Sequence, residues 1–128
     1  MCLIDRSESV QFWVIARHDV HVTLSSDKAS TDNIEISIGE SGDTISVLRS
    51  AHGQRIEDAL DVSRVPGRLH DYAWKPFWIT WENDYIKVGE GRQIGRNTFL
   101  RGHSTQDIYY FGMSTGNGAF GNWAFGCK

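Results

Sequence analysis

The chain has 128 residues, 40% of them hydrophobic, which is enough to build one domain, residues 1–128, around a single core. Its formal net charge is −3 and its basic residues are scattered, so nucleic acid is not expected as a partner. No apolar run approaches the roughly 18 residues of a membrane span, so no membrane span is expected either.

Apolar and polar residues alternate with a period of two along most of the chain, which is typical of strands with one buried face. The clearest case is Ile34, Ile36 and Ile38, which alternate with polar residues. The predicted strands, in chain order, are residues 10–17, 21–25, 33–38, 44–49, 77–81, 85–89, 97–101, 108–113 and 122–125. About nine strands at a spacing of roughly 8–12 residues predict an all-β, antiparallel sandwich or barrel.

Two stretches depart from this pattern. Residues 51–74 are predicted to form a long loop with little regular structure, although residues 55–62 could make two helical turns. Residues 112–121 are rich in glycine and precede a strand-like segment rather than a helix, so a phosphate-binding loop is not expected. Their glycines favour a tight loop between the last two strands.

The strongest local signal lies in residues 77–89. Two runs of β-branched and aromatic residues flank the polar turn Glu82-Asn83-Asp84, which predicts a hairpin. Aromatic and polar side chains gathered at one turn also suit a sugar, which needs a flat apolar face and hydrogen-bonding partners.

The chain contains none of the sequence motifs of zinc proteases, serine hydrolases or nucleotide-binding proteins, so no catalytic residue, metal ion or cofactor is predicted. His18, Asp19 and His21 are the one close cluster of metal-capable side chains. In a turn they could bind a cation or donate to a ligand, but a polar turn with solvated imidazoles is the simpler interpretation.

Cys2 and Cys127 stand near the two ends of the chain. They allow a disulfide, within one chain or between two subunits, or two free thiols in a reducing compartment, and both alternatives stay open. The N-terminus has no apolar stretch long enough for a signal peptide. The chain is therefore expected to be cytosolic or the mature form of a secreted protein.

The order of the strands predicts which turns lie together. If the strands run alternately up and down, one end of the sandwich gathers residues 18–19, 40–43, 82–84 and 103–107. That end is predicted to bind a ligand through six polar side chains, those of His18, Asp19, His21, Asp43, Asn83 and Asp84. The opposite end is the competing site, and its candidate residues are Arg92, Arg96, Asn97 and Asn117, with Trp123 as a ring on which a sugar could stack.

The order of these segments resembles the farnesoic acid O-methyltransferase domain family, found mostly in invertebrate proteins. One motif that carries the resemblance is Phe77-Trp78-Ile79-Thr80-Trp81. The others are residues 12–16, 19–22 with Leu24, 34–39, 46–49, 86–91, 110–116 and 121–125. The chain departs from the family pattern at Glu40, where a second glycine is expected, and at Asn117, where an aromatic residue is expected.

The family name implies methyl transfer from S-adenosylmethionine. An all-β chain lacks the glycine-rich turn of an α/β sheet that usually holds this cofactor. The resemblance also implies a jelly-roll-like, sugar-binding module of secreted invertebrate proteins, which suits the polar turns and aromatic residues.

We therefore expect a jelly-roll-like β-sandwich lectin that recognises galactose-type or other hexose glycans without catalysis. Its expected partners are glycans or glycoproteins, and a homo-oligomer would add avidity to weak single sites. The alternatives are a small methyltransferase acting on a farnesoic-acid-like substrate and a structural, protein-interaction module without a small ligand. Secretion is expected, with a cytoplasmic location as the alternative.

Overall fold

A computed structural model describes residues 2–3, 8–26, 33–50, 56–116 and 118–125. In these ranges the chain forms eleven strands: β1 (Cys2–Leu3), β2 (Ser9–Ala16), β3 (Val20–Ser25), β4 (Asn33–Gly39), β5 (Ile45–Ser50), β6 (Asp61–Ser63), β7 (His70–Glu82), β8 (Tyr85–Glu90), β9 (Thr98–His103), β10 (Tyr110–Thr115) and β11 (Gly121–Phe125). They build a six-stranded sheet in the order β1-β10-β3-β4-β5-β6 and a five-stranded sheet in the order β11-β2-β7-β8-β9. All neighbouring strands in this described part of the chain are antiparallel.

The predicted antiparallel β-sandwich is confirmed. The regular alternation of β4 places Ile34, Ile36 and Ile38 against the core, where each is at most 2% exposed. The core lies between the two sheets because each sheet is apolar on its inner face and polar on much of its outer face. At its centre the Phe12 ring stacks on Phe77 at a centroid distance of 5.7 Å and lies 6.0 Å from Phe111.

The prediction of a long irregular loop over residues 51–74 is wrong for the part that the structure describes. Ile56–Asp58 forms one 3-10 turn, and Asp61–Ser63 forms β6, which pairs with β5. His70 starts β7, so this strand begins seven residues before the predicted start at Phe77. A three-residue strand with a single apolar side chain, Val62, is too short to show a period of two.

The hairpin predicted around the turn Glu82-Asn83-Asp84 is confirmed. β7 and β8 are joined by Asn83 and Asp84, whose φ angles are 54° and 62°. Two successive residues with positive φ are typical of the type I′ turn, and Asn and Asp tolerate this conformation better than most other residues. The turn fixes the register of the two strands.

A loop folds back over the outer face of the five-stranded sheet between β8 and β9. Residues 91–97 form this loop, and two side chains from the sheet hold it. The Trp78 indole N–H donates to the Arg96 carbonyl at 2.8 Å, and the Gln11 side-chain amide donates to the Arg92 carbonyl at 2.7 Å. The fully buried Trp78 ring lies flat over Gly89, which leaves no room for a Cβ atom there.

None of the helical segments in the described ranges is long and apolar enough to cross a membrane. Cys127 and the side chain of Cys2 lie outside the described residues, so the disulfide between them stays a prediction.

Candidate functional site

The turn between β2 and β3 ties three loops together at one end of the sandwich. Asp19 is buried, with 2% of its surface exposed, and its φ angle is 54°. Its backbone N–H donates to the Gly39 carbonyl at 2.9 Å, and its own carbonyl accepts the Gly116 N–H at 2.9 Å. The turn is therefore fixed to the end of β4 and to the loop that follows β10.

The side chain of Asp19 holds the neighbouring imidazole. His18 Nδ1 lies 2.6 Å from Asp19 Oδ2. Because a carboxylate only accepts hydrogen bonds, Nδ1 carries the hydrogen and donates a hydrogen bond to Asp19. Within the described part of the chain the other ring nitrogen of His18, Nε2, has no hydrogen-bond partner. The pair therefore presents an oriented Nε2 atom, and the imidazole is partly exposed.

A cavity of about 410 Å³ lies against this imidazole. It is lined by Ala16, Arg17, His18, Asp71, Gly118, Ala119 and Phe120. The Phe120 side chain is 93% exposed, so the fold does not use the ring for its core. The cavity thus combines an aromatic face with one cation, one imidazole and one carboxylate.

The loop that carries Phe120 is braced from within. The Thr115 hydroxyl donates to the Ala119 carbonyl at 2.9 Å, and the Ala119 N–H donates to the Gly116 carbonyl at 3.0 Å. A Cβ atom at Gly121 would lie 2.8 Å from the Thr115 side chain, so the close return of the chain requires glycine there. These contacts fix the base of the loop beside the His18 turn.

The opposite wall comes from an irregularity in β7. Lys75 pairs with Val14 and His70 pairs with Ala16, so β7 has more residues than β2 between the two pairs. The excess residues bulge outwards and carry Asp71 into the cavity lining. The next residue, Tyr72, is 85% exposed. Bulges of this kind commonly redirect side chains near binding sites.

The chemistry of this cavity suits a neutral ligand rich in hydroxyl groups. The Asp71 carboxylate accepts hydrogen bonds, the Arg17 guanidinium donates them, and His18 Nε2 accepts or donates according to its protonation. The exposed ring of Phe120 offers a flat surface to C–H groups. No group of three or more His, Cys, Asp or Glu side chains in the described ranges is arranged to hold a metal ion.

The structure brings only part of the predicted site together. His18 and Asp19 form the pair described above, and Asp43 lies at the same end of the sandwich. Asn83 and Asp84 lie at the opposite end, between β7 and β8. The prediction that all six residues share one end is therefore wrong. The cause is the unpredicted strand β6, because one additional reversal of the chain moves every later turn to the other end.

Asp43 closes a turn rather than opening to solvent. Its Oδ2 accepts the Leu69 N–H at 3.0 Å, and its Oδ1 is buried without a hydrogen-bond partner among the described residues. Burial raises the pKa of the Asp43 carboxyl, although hydrogen bonds from the Leu69 and Arg68 backbone oppose the shift. These contacts indicate a structural role for Asp43, which holds the segment before β7 against the sandwich.

His21 lies on the outer face of the six-stranded sheet and is not among the residues that line the cavity. Its Nδ1 is 3.0 Å from the Ser37 hydroxyl, and Arg49 donates to the same hydroxyl at 3.3 Å. Arg49 also donates to both carboxylate oxygens of Glu40, at 2.5 and 3.2 Å. Burial opposes ionisation of Glu40, but hydrogen bonds from Arg49 and Ser37 and the Arg49 charge outweigh it and lower the pKa of Glu40.

Asn83 and Asp84 line a separate cleft of about 320 Å³. Its other lining residues are Glu8, Trp81, Ile86, Ser104, Gln106, Asp107, Ile108 and Tyr109. The role of Asn83 and Asp84 in binding a ligand stays a prediction, now attached to this cleft.

The prediction that the competing set lies at the end opposite His18 is also wrong, because the same extra reversal moves the loops after β8 and β10 to the His18 end. Arg92 and Arg96 belong to the loop over the five-stranded sheet, and the Asn97 side chain donates to the Glu90 carbonyl at 3.4 Å. Trp123 packs against the core, so most of its ring is not available to stack on a sugar. Asn117 lies outside the described residues.

Three residues that line the cavity, Arg17, Asp71 and Phe120, were not among the predicted site residues. Asp71 fell in the stretch assigned to an irregular loop. Phe120 offered a usable signal, because it stands alone between glycine and alanine neighbours with no alternating apolar partners. An isolated aromatic residue in such a loop has no strand to carry it into the core, which favours exposure.

Comparison with known proteins identifies the fold and the family of this chain. The chain is similar to a carbohydrate-binding module, CBM66 from Bacillus subtilis, with 8% sequence identity and a TM-score of 0.59. The similarity covers 91% of this chain and 72% of that one. The chain therefore has the sandwich fold of a carbohydrate-binding module.

The sequence model of the farnesoic acid O-methyl transferase family matches residues 3–128. The chain belongs to this family, as the resemblance predicted. Comparison with curated proteins gives no match.

Proposed function

We propose that the chain is a lectin that binds a hexose in the cavity beside His18 without catalysing a reaction. One observation carries this proposal. The His18 imidazole, oriented by the buried Asp19 carboxylate at 2.6 Å, faces the cavity that is lined by the 93% exposed ring of Phe120. The hydroxyl groups of a sugar need oriented hydrogen-bonding partners, and the C–H groups on one face of its ring pack on aromatic rings. This cavity offers a partner of each kind. The fold shared with a carbohydrate-binding module supports the same conclusion.

In this proposal the sugar ring lies with its C–H face on Phe120, and its hydroxyl groups point to His18 and Asp71. Galactose-type sugars suit the arrangement, because their axial 4-hydroxyl leaves a continuous C–H surface on the opposite face of the ring. Asp19 is a positioning residue, since it fixes the imidazole and the loops but does not line the cavity.

The rival function is methyl transfer, which the family name suggests. S-adenosylmethionine is usually held by a glycine-rich turn between a parallel strand and a helix. All the described strand pairs are antiparallel, and the two described helical segments, Glu40–Asp43 and Ile56–Asp58, are each about one turn long. We expect calorimetry to detect no binding of S-adenosylmethionine, and a Kd of about 1 μM or below would favour the methyltransferase instead.

A glycan array tests the proposal. Wild-type protein is expected to bind galactose-type or other hexose glycans, and His18→Ala and Phe120→Ala should each weaken the selected interaction about 5- to 100-fold. This range corresponds to the roughly 1–3 kcal/mol lost when a buried hydroxyl loses its partner, or to a comparable loss of stacking. His18→Ala is a sharper test than Asp19→Ala, which would also loosen the loops tied to Asp19.

The control for this experiment is Tyr109→Ala, which removes a partly exposed aromatic ring from the cleft at the opposite end. It should leave the array pattern unchanged. Absence of any glycan signal, or a loss with Tyr109→Ala but not with Phe120→Ala, would contradict the proposal.

We further propose that the chain forms a homo-oligomer, because one cavity of this kind is expected to bind a single sugar weakly. A homo-oligomer would present several cavities to one glycoprotein and gain avidity without any new contact. Secretion would bring the protein to such surface glycans.

A further inference from the structure

Two cations stand directly opposite each other on the outer face of the five-stranded sheet. Lys87 of β8 pairs with Arg101 of β9, and both side chains are exposed. Like charges in this position repel each other and destabilise a sheet. Neither side chain forms an ion pair with any described residue. The Asp61 carboxylate near Arg101 accepts the backbone N–H of Arg101 and of Val62 instead.

A groove of about 290 Å³ runs beside Lys87, the member of this pair that lines it. It is lined by Trp78, Thr80, Glu82, Asn83, Tyr85, Lys87, Ile94 and Gly95. The Tyr85 ring is 49% exposed and is held edge-to-face against His103 at 5.4 Å. The groove therefore has a cation beside a fixed aromatic ring, and Glu82 is its one carboxylate.

The loop over the sheet adds two more cations to the same face. Arg92 and Arg96 are exposed, and their backbone carbonyls anchor the loop through Gln11 and Trp78. Neither guanidinium has an ion-pair partner among the described residues. Four cations without an ion-pair partner in the described part of the chain thus lie on one face of a protein whose formal net charge is −3. A local excess of one sign attracts ligands of the opposite sign.

From these charges we infer that the groove on the five-stranded sheet binds an acidic glycan, one that carries sulfate or carboxylate groups. The anionic groups would sit between Lys87 and Arg101 and relieve the repulsion between them. A sugar ring would lie on Tyr85, with the Thr80 hydroxyl within the groove. This site is separate from the His18 cavity and does not need it.

A sugar fits these features better than a nucleic acid does. The four cations form a short group rather than the long stripe that a nucleic-acid backbone requires. One exposed ring suits one sugar residue, whereas single-stranded nucleic acids are generally bound by several stacking rings.

Calorimetry with a sulfated heparin hexasaccharide at low ionic strength tests the inference. Lys87→Gln and Arg101→Gln should each weaken binding about tenfold, the loss expected for one charged hydrogen bond. The matched control is Arg64→Gln, which removes the same charge from the segment after β6 in the other sheet and should leave the affinity unchanged. His18→Ala should also leave it unchanged, so failure of the cavity proposal and failure of this one are distinguishable.

Four results would overturn the inference. The first is no binding of the hexasaccharide by the wild-type protein. The second is an equal loss with Arg64→Gln, which would indicate a general effect of net charge. The third is equally tight binding of a short oligothymidylate, which would show an unspecific polyanion surface. Equally tight binding of a neutral hexasaccharide such as maltohexaose would show that charge is not recognised, and it would overturn the inference in the same way.

A measurement without ligand tests the repulsion itself. Lys87→Gln should raise the melting temperature at low salt, and the gain should disappear at high salt because salt screens exposed charges. If the melting temperature of Lys87→Gln at low salt is lower than or equal to that of the wild type, the two cations do not repel each other and the inference loses its basis.

Discussion

Gly89→Ala is expected to destabilise the fold by about 3–5 kcal/mol, close to the effect of removing a buried tryptophan. A Cβ atom at residue 89 would overlap the six-membered and five-membered parts of the Trp78 indole, and that ring is fully buried. The indole must therefore leave its place and lose its hydrogen bond to the Arg96 carbonyl. Urea denaturation measures the loss directly, and total stabilities of small domains are only about 5–15 kcal/mol.

The control for Gly89→Ala is Gly95→Ala. Gly95 has a φ angle of 90°, and a Cβ atom added there would meet no other atom within 4 Å, so its substitution tests backbone strain without a clash. It should cost about 1–2 kcal/mol. In the double variant Gly89→Ala with Trp78→Ala, the two losses should be strongly non-additive because both act on one contact. Additive losses, or a cost below that of Gly95→Ala, would show that Trp78 does not depend on Gly89.

Phe77→Ala is the second substitution with a large expected effect, a loss of about 3–5 kcal/mol. Phe77 is fully buried, stacks on Phe12 at 5.7 Å and meets Phe99 edge-to-face at 6.1 Å. The cavity left behind would lie at the centre of the contact between the two sheets. Tyr72→Ala, which removes a ring that is 85% exposed, should change stability by less than about 0.5 kcal/mol. A loss below about 1 kcal/mol for Phe77→Ala would contradict the assignment of this ring to the core.

The strands and the main hairpin could be predicted because short stretches of neighbouring residues determine them. Alternation such as that of Ile34, Ile36 and Ile38 identifies a strand with one buried face, whatever the strand packs against. The turn at Asn83 and Asp84 follows equally from local chemistry, since both residues tolerate positive φ. Each of these features needs only a few neighbouring residues, and the structure confirms them.

The end of the sandwich at which each turn lies depends instead on the number of strands that precede it in the chain. Whether Asn83 lies near His18 depends on counting every reversal between them, and a single short strand changes the answer. Asp61–Ser63 is held by pairing with β5 and by the Asp61 carboxylate, which accepts the Arg101 N–H at 2.9 Å. Those partners are far away in the sequence, so local alternation could not reveal β6.

The candidate site was predicted in part for the same reason. His18 and Asp19 are sequence neighbours, and their polar turn is visible locally. Asp71 reaches the cavity through a bulge in β7 that exists only because His70 pairs with Ala16 while Lys75 pairs with Val14. Phe120 lines the same cavity because its loop returns to the turn at Asp19, through the hydrogen bond of Gly116.

The most direct test of the central claim is a titration of isotope-labelled protein followed by ¹⁵N–¹H correlation spectra. The ligand is the hexose glycan selected by the array. We expect chemical-shift changes at the amides of residues 16–19, 71–72 and 118–120, which surround the His18 cavity. Changes confined to residues 83–84 and 104–109, around the cleft at the other end, would contradict it, as would a spectrum that the glycan leaves unchanged.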